Sequence, residues 1–126
     1  GICCLIPGIE GMSDNIEAIS IVDNLLEHSR IFIFGNQGDP KVYISSADFM
    51  TRNIDERVEV TCPIYDEDLK KELIDCFNIC WSGNVKVRLH SMDLSNKYRK
   101  ASESERFRAQ LETYKYYRNQ LEVVLD

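Results

Sequence analysis

The stretch "HSRIFIFGNQGDPKVYISSADFMTRNIDERVEV", residues 28–60, decides how the fold is read. Arg30–Phe34 is a short run, apolar on both faces after its first residue, which suits a strand central in a sheet. "GNQGDP" follows with two glycines and a proline, the chemistry of a tight connection. Lys41–Ser45 then reads as the returning strand of a hairpin, with a loop of about five residues. His28 and Arg30 share strand parity, so their side chains take one face, with Phe32 and Phe34 burying that face farther along. Ile31 and Ile33 take the other. "SSADFMTRNIDER" breaks the alternation and reads as a polar, irregular segment. Val58–Cys62 is the next expected strand, with Pro63 as its stop.

Working outward, Ile2–Ile6 is apolar and halts at "PGIEG", which predicts a buried strand and then a loop. Asn15–Val22 predicts a strand running into a helical turn at "DNLLEHS". The clearest helix follows Pro63. Asp66 can cap it, Leu69, Leu73, Phe77, Cys80 and Trp81 form its apolar stripe, and Gly83 suits the position after its end. Asn84–His90 alternates Val85, Val87 and Leu89 against Lys86, Arg88 and His90, a strand with one wet face. Ser102 with Glu105 makes a capping box for a last helix lined by Phe107, Leu111, Tyr114, Leu121 and Leu125. The order predicts an α/β fold, a mixed β-sheet flanked by α-helices, and residues 1–126 form a single domain.

Composition bounds the function. The net charge is −6, which favours no polyanion at the level of the whole chain, although Lys86–Arg108 is locally basic. No apolar run reaches the length of a membrane span. The chain opens on Gly rather than Met, and reads as a piece of a longer protein with a strand already under way. Its five cysteines include an adjacent pair, Cys3 and Cys4, and no CxxC, which argues against a disulfide framework or a zinc ribbon. Cys76 and Cys80 would share a helix face; both read as small core residues, with a two-ligand metal site as the alternative. Free thiols in this number point to a reducing, cytoplasmic compartment.

If the hairpin closes as read, Ser45 and Ser46 lie at the same end of the sheet as His28 and Arg30. Arg52, Asn53 and Arg57 follow in the next loop. Hydroxyl donors with guanidinium forks are what phosphate oxygens require. A histidine adds a nucleophile or a proton donor near neutral pH. Arg30 has Glu27 and Glu59 as alternative partners, and Asp48 reads as a structural group holding Arg52 or a backbone turn.

"HSRIFIFG" and "KVYISSADFMTRNIDERVEV" resemble the half-motif of the phospholipase D superfamily, with Arg30 where lysine is usual and Gly35 where aspartate is usual. Those two departures resemble one branch, the C-terminal domain of bacterial long-chain polyphosphate kinases. "GICCLIPG", "SDNIEAISIVDNLLEHSRIFIF", "NVKVRLH" and "LSNKYRK…FRAQLETYKYY" are similar to that family in the same order, over nearly the whole chain. The resemblance implies a phospholipase-D-like domain forming the C-terminal half of a catalytic site. Such an enzyme reversibly moves the terminal phosphate of ATP onto inorganic polyphosphate, through a phosphohistidine in the preceding domain. It implies that His28 is the catalytic histidine of this half, set against the nucleotide phosphates for acid/base assistance. Arg57 would lie at the phosphate channel, with Arg30, Ser45, Ser46 and Asn53 as further ATP- or phosphate-binding residues. Magnesium is implied as cofactor with its ligands outside this sequence, so no residue here is assigned to metal. ATP or ADP, polyphosphate and the rest of the kinase chain are the implied partners, with a homo-oligomer for the whole enzyme and no nucleic acid. The implied location is cytoplasmic, with a peripheral place on the inner membrane face as a variant.

Two other classes compete. A phosphodiesterase or nuclease of the phospholipase D type would use the same fold, but Arg30 and Gly35 speak against it. A non-catalytic oligomerisation module would use the amphipathic last helix. The basic stretch Lys86–Arg108 could guide polyphosphate, though a solvated face accounts for it more simply. Trp81, Tyr114, Tyr116 and Tyr117 read as packing residues.

Overall fold

The computed structural model describes residues 3–124. In chain order its elements are β1 (Ile19–Ile21), β2 (Ile31–Phe34), β3 (Lys41–Ser45), β4 (Thr61–Ile64), α1 (Glu67–Ser82), β5 (Val87–Leu89) and α2 (Ala109–Val124). The α/β class holds, with the strands parted between two antiparallel sheets, β1-β5 and β2-β3-β4. The chain gathers into two compact units. Glu27–Asn78 forms one; the residues up to Leu26 and those from Ile79 onward form the other.

In the Glu27–Asn78 unit, Ile31 pairs with Ile44 and Phe34 with Lys41, while Ser45 pairs with Thr61 on the other side. The central strand is therefore β3, and its Val42 is 1% exposed. The expectation that Arg30–Phe34 lies centrally is corrected: β2 is an edge of this sheet. Its aromatic face is open as well. Phe32, Phe34, Tyr43 and Thr61 line a cavity of about 390 Å³ rather than a packed layer. The Phe34 and Tyr43 rings meet edge to face at 5.8 Å.

The β2–β3 connection carries three successive left-handed residues, Asn36, Gln37 and Gly38. Such a backbone is cheap for Gly and tolerable for Asn, which is why the turn falls there. The strand expected over Val58–Cys62 sits later. Val58 is 99% exposed, and β4 runs through Pro63. An edge strand tolerates proline because one side of its ladder needs no donor. Helix α1 begins as expected: Asp66 Oδ1 accepts from the N–H groups of Asp68 and Leu69 at 3.1 and 3.0 Å.

In the other unit, Ile19 pairs with Leu89 and Ile21 with Val87. Backbone bonds from His90 N–H to Ala18 O and from Val22 N–H to Lys86 O extend that ladder at both ends. Residues 3–6 form no strand; Cys3, Cys4 and Leu5 are exposed, because no described strand pairs with them. Ile2 and Leu125 lie outside the described residues. "DNLLEHS" forms a bend rather than a helical turn. Ser102 and Glu105 do meet, Oγ to Oε2 at 2.6 Å, but around a single 3-10 turn over Glu103–Glu105. Helix α2 starts only at Ala109, since Phe107 is tied by its backbone to Asn84: Phe107 N–H donates to Asn84 Oδ1 at 2.7 Å.

Arginines hold this unit together. Arg108 grips Asp23 through two bonds of 2.7 and 2.6 Å, and the Asp23 side chain is 1% exposed. That pairing holds the Asp23 carboxyl below its ordinary range. Arg99 donates to the carbonyls of Trp81 and Gly83 at the end of α1, at 2.6 and 2.8 Å, completing acceptors that the helix leaves open. Arg88 lies over the Tyr98 ring at 3.9 Å and donates to Asn96 O. None of the five cysteines is paired in a disulfide. No helix among the described residues is long and apolar enough to cross a membrane.

Candidate functional site

His28, Arg30, Ser45, Ser46, Asn53 and Arg57 all belong to the Glu27–Asn78 unit. The chain enters β2 through His28 and Arg30, and Ser45 N–H donates to Arg30 O at 2.9 Å, carrying the ladder one residue upstream of the strand. That bond sets Arg30 beside the end of β3, where Ser45 and Ser46 lead into the irregular segment. The hairpin thus does bring the histidine and arginine to the end of the sheet that carries the serines.

Two carboxylates organise what is there. Asp48 accepts from Arg30 Nε at 2.6 Å. Arg30 Nη2 in turn lies 2.5 Å from His28 Nε2. Asp48 therefore braces Arg30, rather than Arg52 as its place in the loop suggested, and Arg30 is held by Asp48 rather than by Glu27 or Glu59. The hydrogen bond and charge of Arg30 hold the Asp48 carboxyl below its ordinary range, with the nearby charge of Arg52 adding to that. The Arg30 guanidinium is correspondingly pushed up, chiefly by its bond to Asp48. The His28 side chain is exposed.

Glu59 is the second organiser. It accepts from Ser46 Oγ and, at 2.8 Å, from Asn53 Nδ2. Both bonds lower its carboxyl, and the nearby charges of Arg57 and Arg30 add to the effect. Ser46 Oγ also accepts from Val60 N–H at 3.0 Å, while Ser46 N–H donates to Val60 O. Ser45 Oγ meets Thr61 Oγ1 at 2.9 Å and accepts from Ala47 N–H at 3.1 Å. The two hydroxyls thus fasten the exit of β3 to the entry of β4.

Asn53 lies in a π-helical turn over Arg52–Glu56 and is 3% exposed. Its Oδ1 is buried without a hydrogen-bond partner among the described residues. The amide cannot be reversed to cure this, because Oδ1 would then face the Glu59 carboxylate. Arg57 ends the π turn, is exposed, and has no hydrogen bond or ion pair among the described residues, so its guanidinium is uncommitted. Exposed imidazole, a braced guanidinium and an uncommitted one make an arrangement able to receive an anion and hydrogen-bond to it.

The acidic pair does not suit a divalent cation. Asp48 is taken by Arg30 and Glu59 by two neutral donors, and no group of three or more His, Cys, Asp or Glu side chains gathers as a metal site among the described residues. Glu59 is the group that sequence reading undervalued. It stands six residues from Asn53 and thirteen from Ser46, and only the strand pairing brings the three together.

Elsewhere the basic stretch is largely engaged internally. Arg88, Arg99, Arg106 and Arg108 bind Tyr98, Trp81 and Gly83 carbonyls, Glu103 and Asp23 respectively. Lys97 lies 3.5 Å from Asp93. A cleft of about 540 Å³ borders Lys86, Lys100 and Arg106, with Glu103 on its wall.

Three comparisons bear on this geometry. A family described as polyphosphate kinase C-terminal domain 2 matches residues 1–110. The polyphosphate kinase of Escherichia coli strain K12 is 52% identical over 119 residues, 94% of this chain and 17% of that protein. That of Vibrio cholerae serotype O1 is 49% identical over the same length and shares. The crystal structure of polyphosphate kinase from Porphyromonas gingivalis is similar with a TM-score of 0.91 at 41% identity, covering 98% of this chain and 19% of that one. The chain thus spans 17% of the length of the curated relatives it matches.

Proposed function

The chain belongs to the polyphosphate kinase C-terminal domain 2 family, and from that premise we propose that it supplies the C-terminal half of a phosphotransferase site. The whole enzyme moves the terminal phosphoryl group of ATP onto inorganic polyphosphate, reversibly, by way of a phosphohistidine in the preceding domain. Phosphoryl transfer asks a protein mainly for positioning and for positive charge around the moving group. His28 contacts a phosphate oxygen and assists by hydrogen bonding to it. Arg57 neutralises phosphate charge. Arg30 contributes charge while steadying His28. Ser45, Ser46 and Asn53 act one step back, by holding the turn that carries these groups.

The observation that carries this reading is the contrast within one turn system. His28 is exposed yet braced, and Arg57 is exposed yet uncommitted, while the groups behind them are tied to Asp48 and Glu59. A solvated loop has no reason to fix an exposed imidazole through an arginine–carboxylate pair. Magnesium belongs to this reading only through residues outside the sequence, and none of the contacts above depends on it.

The test is to incubate the full chain carrying this sequence with ATP and magnesium, then with ADP and polyphosphate. Polyphosphate and ADP form in the first case, and ATP in the second. The 126-residue chain alone yields neither, since half the site is missing. Hydrolysis of a simple phosphate diester by the full chain, without polyphosphate formation, would replace this reading with that of a phosphodiesterase.

A further inference from the structure

The His28–Arg30 contact fixes more than a position. A guanidinium carries N–H donors and no acceptor. With Arg30 Nη2 only 2.5 Å from His28 Nε2, that ring nitrogen must present its lone pair. A hydrogen on Nε2 would point at another hydrogen. The contact is therefore compatible only with a neutral ring whose proton is on Nδ1.

Arg30 does not choose this orientation freely. Its Nε donates to Asp48 Oδ1 at 2.6 Å, and its carbonyl oxygen accepts from Ser45 N–H, so the guanidinium is fixed from the β3 side. Its side chain is only 23% exposed, against an exposed imidazole beyond it. The chain of contacts runs Asp48, Arg30, His28, and each member restricts the next.

Building on the function proposed above, we propose that Arg30, clamped by Asp48, is a positioning residue that holds His28 as the Nδ1–H tautomer. The ring then offers an N–H rather than a lone pair to a phosphate oxygen. His28 thereby serves as a hydrogen-bond donor to the transferring group. Its Nε2 lone pair is occupied and cannot attack phosphorus, which leaves the covalent step to a histidine elsewhere. This distinguishes the present half-site from one whose histidine is the nucleophile. It also gives a physical reason for arginine at position 30. Arginine reaches the carboxylate and the imidazole together through two different nitrogens, whereas the single ammonium nitrogen of lysine cannot span both in that planar geometry.

The experiment uses the full chain carrying this sequence, labelled with nitrogen-15 at histidine, and long-range proton–nitrogen NMR at a pH where the rings are neutral. The His28 pattern is identified by its disappearance in His28→Gln. The expected result is a bare Nε2 and a protonated Nδ1, the reverse of the tautomer that free histidine favours. Arg30→Ala and Asp48→Ala should return His28 towards the free preference. Asp48→Asn should leave the wild-type pattern, because the Asn oxygen still accepts from Arg30 Nε. Added ATP should perturb the Nδ1 resonance and leave Nε2 in place. A wild-type ring protonated on Nε2, a pattern unchanged in both alanine variants, or an ATP response at Nε2 instead would each overturn the inference. The wild-type spectrum decides even where a variant fails to fold. Polyphosphate synthesis with His28 protonated on Nε2 sinks this inference alone. An Nδ1–H ring in a chain that makes no polyphosphate sinks the proposed function alone.

Discussion

Adding one methyl group at position 83 tests the packing of the unit built on β1 and β5. A Cβ on Gly83 would stand 3.1 Å from the Cys80 carbonyl oxygen, 3.2 Å from Ala109 Cβ and 3.2 Å from Val87 Cγ2. None of these neighbours yields easily. One is backbone, Val87 is fully buried, and Ala109 opens α2 in a buried position. Overpacking of this kind costs about 1–3 kcal/mol. Against it, alanine restricts the unfolded chain more than glycine does, recovering about 0.4–1 kcal/mol. The net expectation for Gly83→Ala is a loss of about 1–2 kcal/mol, read as about 5–30-fold faster exchange of the β5 amides. Hydrogen-exchange mass spectrometry of peptides covering Val87–Leu89 measures this in the full chain. Gly35→Ala is the control: nothing lies within 4 Å of its Cβ position, so exchange in its own segment should stay at the wild-type rate. Wild-type protection of β5 in Gly83→Ala would show that the three close approaches do not exist.

Arg57→Gln should raise the KM for ATP about 10–100-fold, the worth of one charge-assisted contact, with little change in thermal stability since Arg57 is uncommitted; an unchanged KM removes it from the phosphate site. Asn53→Asp should destabilise more than Asn53→Ala, because it sets a second carboxylate against Glu59 where a 2.8 Å donor stood; chemical denaturation of the two variants measures the order, and the reverse order contradicts the contact. Asp48 has a carboxyl lowered by Arg30, so its stabilising contribution is present at neutral pH and fades as pH falls through that lowered value. The difference in melting temperature between wild type and Asp48→Ala should accordingly persist at pH 7 and shrink below about pH 4; a difference that grows on acidification would reverse the sign of the linkage.

The hairpin over residues 30–45 was legible because apolar runs flank a Gly- and Pro-containing connection, and α1 because Asp66 and a stripe of apolar residues mark its start and face. What failed did so where local signals lack a partner. Residues 3–6 are apolar enough for a strand, yet no described strand pairs with them. Val58 and Val60 alternate like a strand, but the ladder to β3 begins at Thr61 and crosses Pro63, which local reading treats as a stop. Gly83 was expected to serve by its position after a helix; its demonstrable constraint is close approach to Val87 and Ala109. At the site, the types and clustering of His28, Arg30, Ser45 and Ser46 could be read directly. The choice of Asp48 among three acidic partners for Arg30 could not, since it depends on how β3 leads into the loop.

The most direct measurement is the rate of polyphosphate synthesis by the full chain carrying His28→Ala. Loss of a positioned hydrogen-bond donor to the transferring group predicts a fall of about 10²–10³-fold. The circular dichroism spectrum should stay that of wild type, because the ring is exposed and fills no core. Turnover near the wild-type rate in that folded variant would contradict the account.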